Sequence, residues 1–272
     1  MRSRLTVLAA ALFVVVSGVV GVSPSHGGTA DGQVAGSDKP AGAQPERAAV
    51  MSRVKNADGT VSETIYTLAA GADPAEVARN LRSHGVPGVA VVTDDASPAA
   101  LKPPCTYGIS RTWPTETVCF ARWSYNGYGR PQMYFRDRSN DLWPVGRAVS
   151  KWNEVSGIDS WYRDFSTGCP GNGVHCVIIY NAYYGTTGQW YNVVGVTHRA
   201  LNAAQTYYTG AYIALNESYG GTEAQRWNTA CHEIGHVLGL WEEYSTATCM
   251  YYARTSQRYP HDNDFTLLER FY

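Results

Sequence analysis

The sequence predicts an α+β fold: a mixed, twisted sheet with a long first helix, a second helix carrying paired histidines, and a C-terminal helix. Three observations point there. The stretch PVGRAVSKWNEVSG places Val145, Ala148, Val149, Trp152 and Val155 at helical spacing, with Pro144 at its start and Gly157 at its end. Runs rich in β-formers then follow, WYRDF, VHCVIIYN, NVVGVTHRAL and GAYIALNES, separated by Gly-rich turns. A helical pattern from about Thr222 to Gly239 comes next, and another from about Asp264 to Phe271 with Phe265, Leu268 and Tyr272 on one side.

Upstream, the chain opens on MRSR, an apolar run LTVLAAALFVVVSGVVGV, and then SPSHGGTA. That layout reads as a signal peptide over residues 1–30 and predicts a secreted, extracellular protein. A membrane anchor competes, but the run ends in small residues rather than a basic flank, so the mature chain is expected to have no membrane span. Residues from His26 to about Ala49 are rich in Gly, Ala, Ser and Pro and read as a linker. NADGT predicts a hairpin turn between MSRVK and VSETIYTL. In DPAEVARNLRSHG, Asp73 suits a cap, Pro74 the first turn, Glu76 a capping box and Gly85 the end of a helix. VAVVTD follows as a short strand. This piece has no cysteine, and DDASPAALKPP after it suggests a boundary near Ala96–Pro104. Residues 31–102 thus read as linker plus a removable pro-segment, with a stable N-terminal subdomain as the alternative, and 103–272 as the main domain. That domain begins with short strands and turns, TYGIS, ETVCFARW and YNGYGRP, before the strand QMYFRD.

Composition narrows the function. A formal net charge of −1 over 272 residues lacks the basic surplus that phosphate binding needs, so no nucleic-acid partner is expected. The cysteines are Cys105, Cys119, Cys169, Cys176, Cys231 and Cys249, an even number in an exported chain, which reads as disulfides. Pairing of nearest neighbours gives Cys105–Cys119, Cys169–Cys176 and Cys231–Cys249.

The chemistry gathers in ACHEIGHVLGLWEEYSTATCMYY, residues 230–252. His232 and His236 lie four apart on a helix, so both rings share one face and can hold one Zn2+ at about 2.0–2.1 Å each. Glu233 reaches the same mouth without ligating and suits a general base. Gly239 stands where the helix must stop and turn back. The string HEIGHVLGLWE followed by TCMYY resembles the extended motif and Met-turn of the metzincin zinc endopeptidases. Residues 132–272 follow the element order of matrixins and similar families, weakly outside the motif. The resemblance puts the third ligand at Glu242, where the family usually has His and the snapalysins Asp; Glu243 is the neighbouring alternative. A carboxylate is a legitimate zinc ligand.

The same resemblance implies several further roles. Met250 becomes the apolar floor under the metal. Tyr252 holds the offset of an astacin tyrosine and is either a donor to the oxyanion or a packed tyrosine. The strand before the metal helix, Tyr212 to Asn216, becomes an exposed edge that takes substrate as an added strand. Cys231 and Cys249 flank the site and would tie the helix to the Met-turn. The resemblance to matrixins also allows a structural Ca2+, although no calcium loop stands out here. KPPCTYG resembles the matrixin cysteine switch only through its prolines, so any latency would come from the pro-segment covering the cleft. The remaining histidines outside the signal region, His84, His175, His198 and His261, lack ligand spacing.

The sequence therefore predicts a monomeric, secreted zinc endopeptidase acting on protein or peptide substrates, with His232, His236 and Glu242 on the metal and Glu233 moving the proton. A secreted non-catalytic module, binding protein or cell wall through Trp113, Trp123, Tyr125 and Tyr128, is the rival expectation.

Overall fold

The structure, a computed structural model, describes residues 48–93, 108–110, 117–119, 121–171, 173–243 and 245–272. The expected signal peptide, the linker before residue 48, the boundary near Ala96–Pro104, Trp113 and the Cys105 half of one cysteine pair lie outside the described residues. Among those that are described, no helix is long and apolar enough to cross a membrane.

The expected hairpin forms between β1 (Ala48–Lys55) and β2 (Val61–Leu68). Its turn is closed by Asn56 and Asp58, and Gly59 takes the left-handed conformation at φ +85°. Helix α1 (Pro74–Ser83) starts where Asp73 accepts from the Ala75 amide and stops before Gly85, whose φ is +77°. Glu76 does not complete a capping box. Its carboxylate instead accepts from the Tyr191 hydroxyl, a long-range partner that local spacing does not reveal. β3 (Val89–Thr93) then pairs with β1.

β4 (Gly108–Ser110) and β5 (Thr117–Cys119) pair as a small separate ladder. β6 (Gln132–Asp137) leads into α2 (Val145–Trp152), whose buried stripe is Val145, Ala148, Val149 and Trp152. This helix is eight residues rather than the long one expected up to Gly157. Asn153 ends it: its side-chain carbonyl accepts from the Ser160 amide at 2.8 Å and so begins the turn toward β7 (Asp159–Arg163). Val155 still reaches the core from that turn. β8 (His175–Ala182), β9 (Val193–Leu201) and β10 (Tyr208–Asn216) follow, then α3 (Glu223–Leu238) and α4 (Asp262–Phe271).

The chain is α+β, with one eight-stranded mixed sheet in the order β3-β1-β2-β9-β10-β8-β6-β7. The strands β10, β8, β6 and β7 run parallel; β9, β2, β1 and β3 join by antiparallel ladders. The residues before Asp94 therefore supply three strands of the same sheet. β10 is not the exposed edge expected for Tyr212 to Asn216, because it pairs with β8 on one side and β9 on the other. Its burial from Ile213 to Asn216 suits an interior strand.

A large core of Trp123, Phe135, Trp152, Ile158, Leu215, Ile234 and their neighbours fills the side where α2, α3 and α4 pack. A second core lies under α1, from Val77, Ala78 and Leu81 against Tyr66, Val196 and Ala214. A third, smaller cluster brings Trp241 against Ala49, Met51, Ile65 and Val92 of the first strands.

Candidate metal centre

Helix α3 is fixed at both ends. Thr222 accepts from the Gln225 amide while the Gln225 side chain accepts from the Thr222 amide, a reciprocal capping box. Gly239 ends the helix at φ +110°, a left-handed conformation that glycine adopts without penalty. The chain doubles back through it, and the Leu240 amide donates to the Gly235 carbonyl at 3.0 Å.

This turn brings three side chains together. The His232 and His236 rings stand edge to face with centroids 4.4 Å apart. Glu242 Oε2 is 3.4 Å from His232 Nε2, and Glu242 Oε1 is 3.4 Å from His236 Nε2. All three residues are buried, and their ligand atoms lie within 4.8 Å of one another. Each imidazole is oriented from behind. His232 Nδ1 donates to the Cys249 carbonyl at 2.9 Å, and His236 Nδ1 donates to the Leu240 carbonyl at 3.1 Å. With Nδ1 carrying the proton, Nε2 of the neutral ring offers its lone pair toward Glu242.

The two Nε2 atoms and both Glu242 carboxylate oxygens are buried and have no hydrogen-bond partner. Buried polar atoms left this way are costly, and four facing one another fit a cation held between them. The group could hold a metal ion; two imidazoles and a carboxylate are a donor set that zinc accepts. The chain matches no family model and no curated protein.

Without an ion the three groups share a proton, which a metal bound there would displace from His232. Burial disfavours charge on His232, yet the Glu242 carboxylate outweighs it and holds the imidazole above its ordinary range. The converse effect of the two histidines overcomes burial at Glu242 and holds its carboxyl low. For His236, burial and then the neighbouring His232 push the imidazole down.

Glu243, the neighbouring candidate, is held through its backbone. Its amide donates to the Met250 carbonyl at 2.7 Å, and its carbonyl accepts from the Tyr252 amide at 3.1 Å. Glu243 is not among the residues whose ligand atoms gather at the two histidines.

Glu233 lies fully buried beside the group but outside it. Oε2 accepts from Thr197 Oγ1 at 2.6 Å and Oε1 accepts from Thr67 Oγ1 at 2.5 Å. Burial pushes its carboxyl up to about 7, although His232 and the two threonines oppose the rise. Gly195 makes room for it, since a Cβ there would fall 2.4 Å from Oε1.

Met250 is buried against the helix at Gly235, between the two histidines along α3. Cys231 and Cys249 are bonded, with Cα atoms 6.0 Å apart, so the helix and the Met250 turn are covalently joined; Cys169–Cys176 is bonded as well. Trp152 Nε1 donates to the Cys231 carbonyl at 2.9 Å and ties α2 to the same point. Tyr252 is buried, with its ring 4.5 Å from that of Tyr251. His198 sits on the other face of β9, where it bonds Thr64 and stacks on Tyr212. Trp123, expected on a binding surface by the rival reading, is in the core with its indole N–H on the Val237 carbonyl, while Tyr125 and Tyr128 are exposed.

Sequence reasoning did not find Thr67, Thr197, Gly195 or the pair Glu63 and Arg199. Arg199 is 1% exposed; it donates to the His236 carbonyl at 3.0 Å and to Glu63 at 2.9 Å. Glu63 also pairs with Arg53 at 2.6 Å. One signal was present: Val61, Glu63, Ile65 and Thr67 alternate along β2, so both polar residues share the face of Ile65.

Proposed function

We propose that the chain is a secreted zinc-dependent endopeptidase of metzincin type. The observation that carries this reading is the convergence of four buried, otherwise unpartnered atoms from His232, His236 and Glu242. In that role His232, His236 and Glu242 hold zinc, and Glu233 stands outside the donor set. Zinc bound there supplies a Lewis acid that polarises a peptide carbonyl and acidifies water.

Glu233 is the group that handles the proton. A general base works best when its pKa lies near the operating pH, and burial brings this carboxyl to about 7. Thr197 holds one carboxylate oxygen still. The carboxylate then takes a proton from the attacking water and returns it to the departing amine. The Cys231–Cys249 bond and the Nδ1 bonds of both histidines keep the donor atoms in place before substrate arrives. Export through a signal peptide agrees with two bonded cysteine pairs, which persist in oxidising surroundings.

Casein digestion by the secreted, processed chain tests the reading. Cleavage abolished by a zinc chelator and restored by added zinc is the expected result. A processed, zinc-loaded chain that leaves casein and a broad peptide library intact would return the protein to the binding-module reading.

A further inference from the structure

The sheet has one face that α2 and α3 cover and one that they leave open. On β6, Met133 and Phe135 point into the main core, so Tyr134 and Arg136, which alternate with them, face away from it. On β7, Ser160 is buried, Trp161 and Arg163 lie on the outer face, and Phe165 follows two positions on. Helix α1 packs over that outer face where Tyr66, Val196 and Ala214 lie, on β2, β9 and β10. Among the described residues, the outer side of β6 and β7 carries no helix. Trp161 is 43% exposed there and Phe165 is 58% exposed.

Positive charge is concentrated on this open area. Arg136 and Arg163 stand directly opposite each other in the β6–β7 ladder, and like charges so placed repel. Arg138, one residue past β6, adds a third. Arg136 and Arg138 lie over the Phe165 ring at 5.6 and 5.2 Å, and Arg163 lies over the Tyr134 ring at 5.1 Å. Among the described residues, no carboxylate forms an ion pair with any of the three. Arg136 Nε is buried without a hydrogen-bond partner. The nearby Asp164 carboxylate accepts instead from the Ser166 hydroxyl and the Thr167 amide. A guanidinium laid on a ring keeps its edge N–H groups for a planar oxyanion.

We propose that this face docks the chain on an anionic lipid bilayer, with Arg136, Arg138 and Arg163 on the lipid phosphates and Trp161 and Phe165 in the headgroup layer. Exposed aromatic rings beside arginines suit the boundary between headgroups and acyl chains. A soluble polyanion would use the arginines but gain little from the exposed Phe165 ring. With a net charge of −1, the chain as a whole is not drawn to an anionic surface, so the attraction is local to this face. Docking needs neither metal nor peptidase activity, and it leaves the metal centre on the other side of the sheet.

The test is sedimentation of the full chain with vesicles of phosphatidylcholine alone and of phosphatidylcholine with one third phosphatidylglycerol, at about 0.1 M salt. Binding to the anionic vesicles should be on the order of a hundredfold tighter, three basic residues at about fivefold each, and should weaken as salt rises. Arg138→Gln and Arg163→Gln should each lower it about fivefold. Lys55→Gln, at the far end of the sheet, should leave it unchanged. Phe165→Ser should weaken binding without altering its salt dependence. Lipid brominated on its acyl chain should quench tryptophan fluorescence, and Trp161→Phe should remove that quenching.

Equal binding to both kinds of vesicle, arginine variants that bind like the parent, or quenching that survives Trp161→Phe would each overturn the proposal. So would a chain that ignores vesicles yet captures a heparin fragment or a single-stranded oligonucleotide through the same arginines, because the face would then serve a soluble polyanion. Circular dichroism checks the fold of each variant. Arg138 and Phe165 are exposed, so Arg138→Gln and Phe165→Ser decide the matter even if the half-buried Arg163 proves necessary for folding.

Discussion

Gly235 and Met250 meet so closely that a Cβ on Gly235 would lie 2.2 Å from the Met250 sulfur. The same Cβ would stand 2.9 Å from the Trp152 ring. A glycine is therefore required one residue before His236, for space rather than for backbone freedom. Gly235→Ala should cost about 1–3 kcal/mol through overpacking. It should also weaken zinc binding, because Met250 cannot move without shifting Cys249, whose carbonyl orients His232. Urea denaturation and zinc titration of the purified variant check both effects.

Glu242→Ala and Glu243→Ala separate the two adjacent carboxylates. Loss of a residue that merely orients a ligand costs about 10–100-fold in metal affinity, so loss of a ligand should exceed that. Glu242→Ala should therefore lose more than about 100-fold. Glu243→Ala keeps the backbone pairing to Met250 and should stay within a few-fold of the wild type. Competition with a chelating dye measures both.

Glu233→Gln should retain zinc and lose peptidase activity by about 10²–10⁴-fold, the usual worth of a positioned base. Zinc content and kcat/KM on one peptide give the comparison. A variant that cleaves at the wild-type rate would remove Glu233 from the mechanism.

Cys231→Ser with Cys249→Ser removes a bridge across 18 positions of sequence. The expected loss is about 2–4 kcal/mol, seen as a lower urea midpoint. The bridge begins beside His232 and ends beside Met250, so the double variant should also release zinc faster to a chelator.

Asp264 sets a limb of the stability–pH curve. Burial raises its carboxyl from an ordinary 3.8 to about 6, against the hydrogen bonds from Thr248 and the His261 amide. The folded chain keeps its proton in a range where the unfolded chain has released it. This group therefore adds stability that is complete below about pH 4 and fades as the pH rises through about 6. Asp264→Asn keeps an acceptor for both donors and should flatten that limb, as urea midpoints from pH 4 to 7 would reveal.

Local patterns in the sequence were enough to locate α3, its glycine stop, the hairpin and most strands. Each rests on neighbours within a few residues: Thr222 with Gln225, His232 with His236, Asn56 with Thr60. The length of α2 was not legible, because its end depends on Asn153 finding Ser160 in the next strand. Nor was the surrounding of Glu233. Thr67 is 166 positions away and Thr197 is 36, and only the strand order β2-β9-β10 brings them in. The misplaced edge strand has the same origin. An apolar run such as IALN indicates burial, but which strands flank it is decided by segments far along the chain.

The sheet order also bears on how the molecule is made. β1, β2 and β3 are synthesised before β9, β10 and the histidine helix. The hairpin is a local structure that closes quickly, while the β2–β9 ladder waits for more than a hundred further residues. When β9 emerges, the partner for its bare side already exists. An unpaired strand edge is where growing chains stick to one another, and here that interval is as short as translation allows. Any chain shortened at its front would have to fold the same sheet with β9 uncovered, at greater risk of clumping.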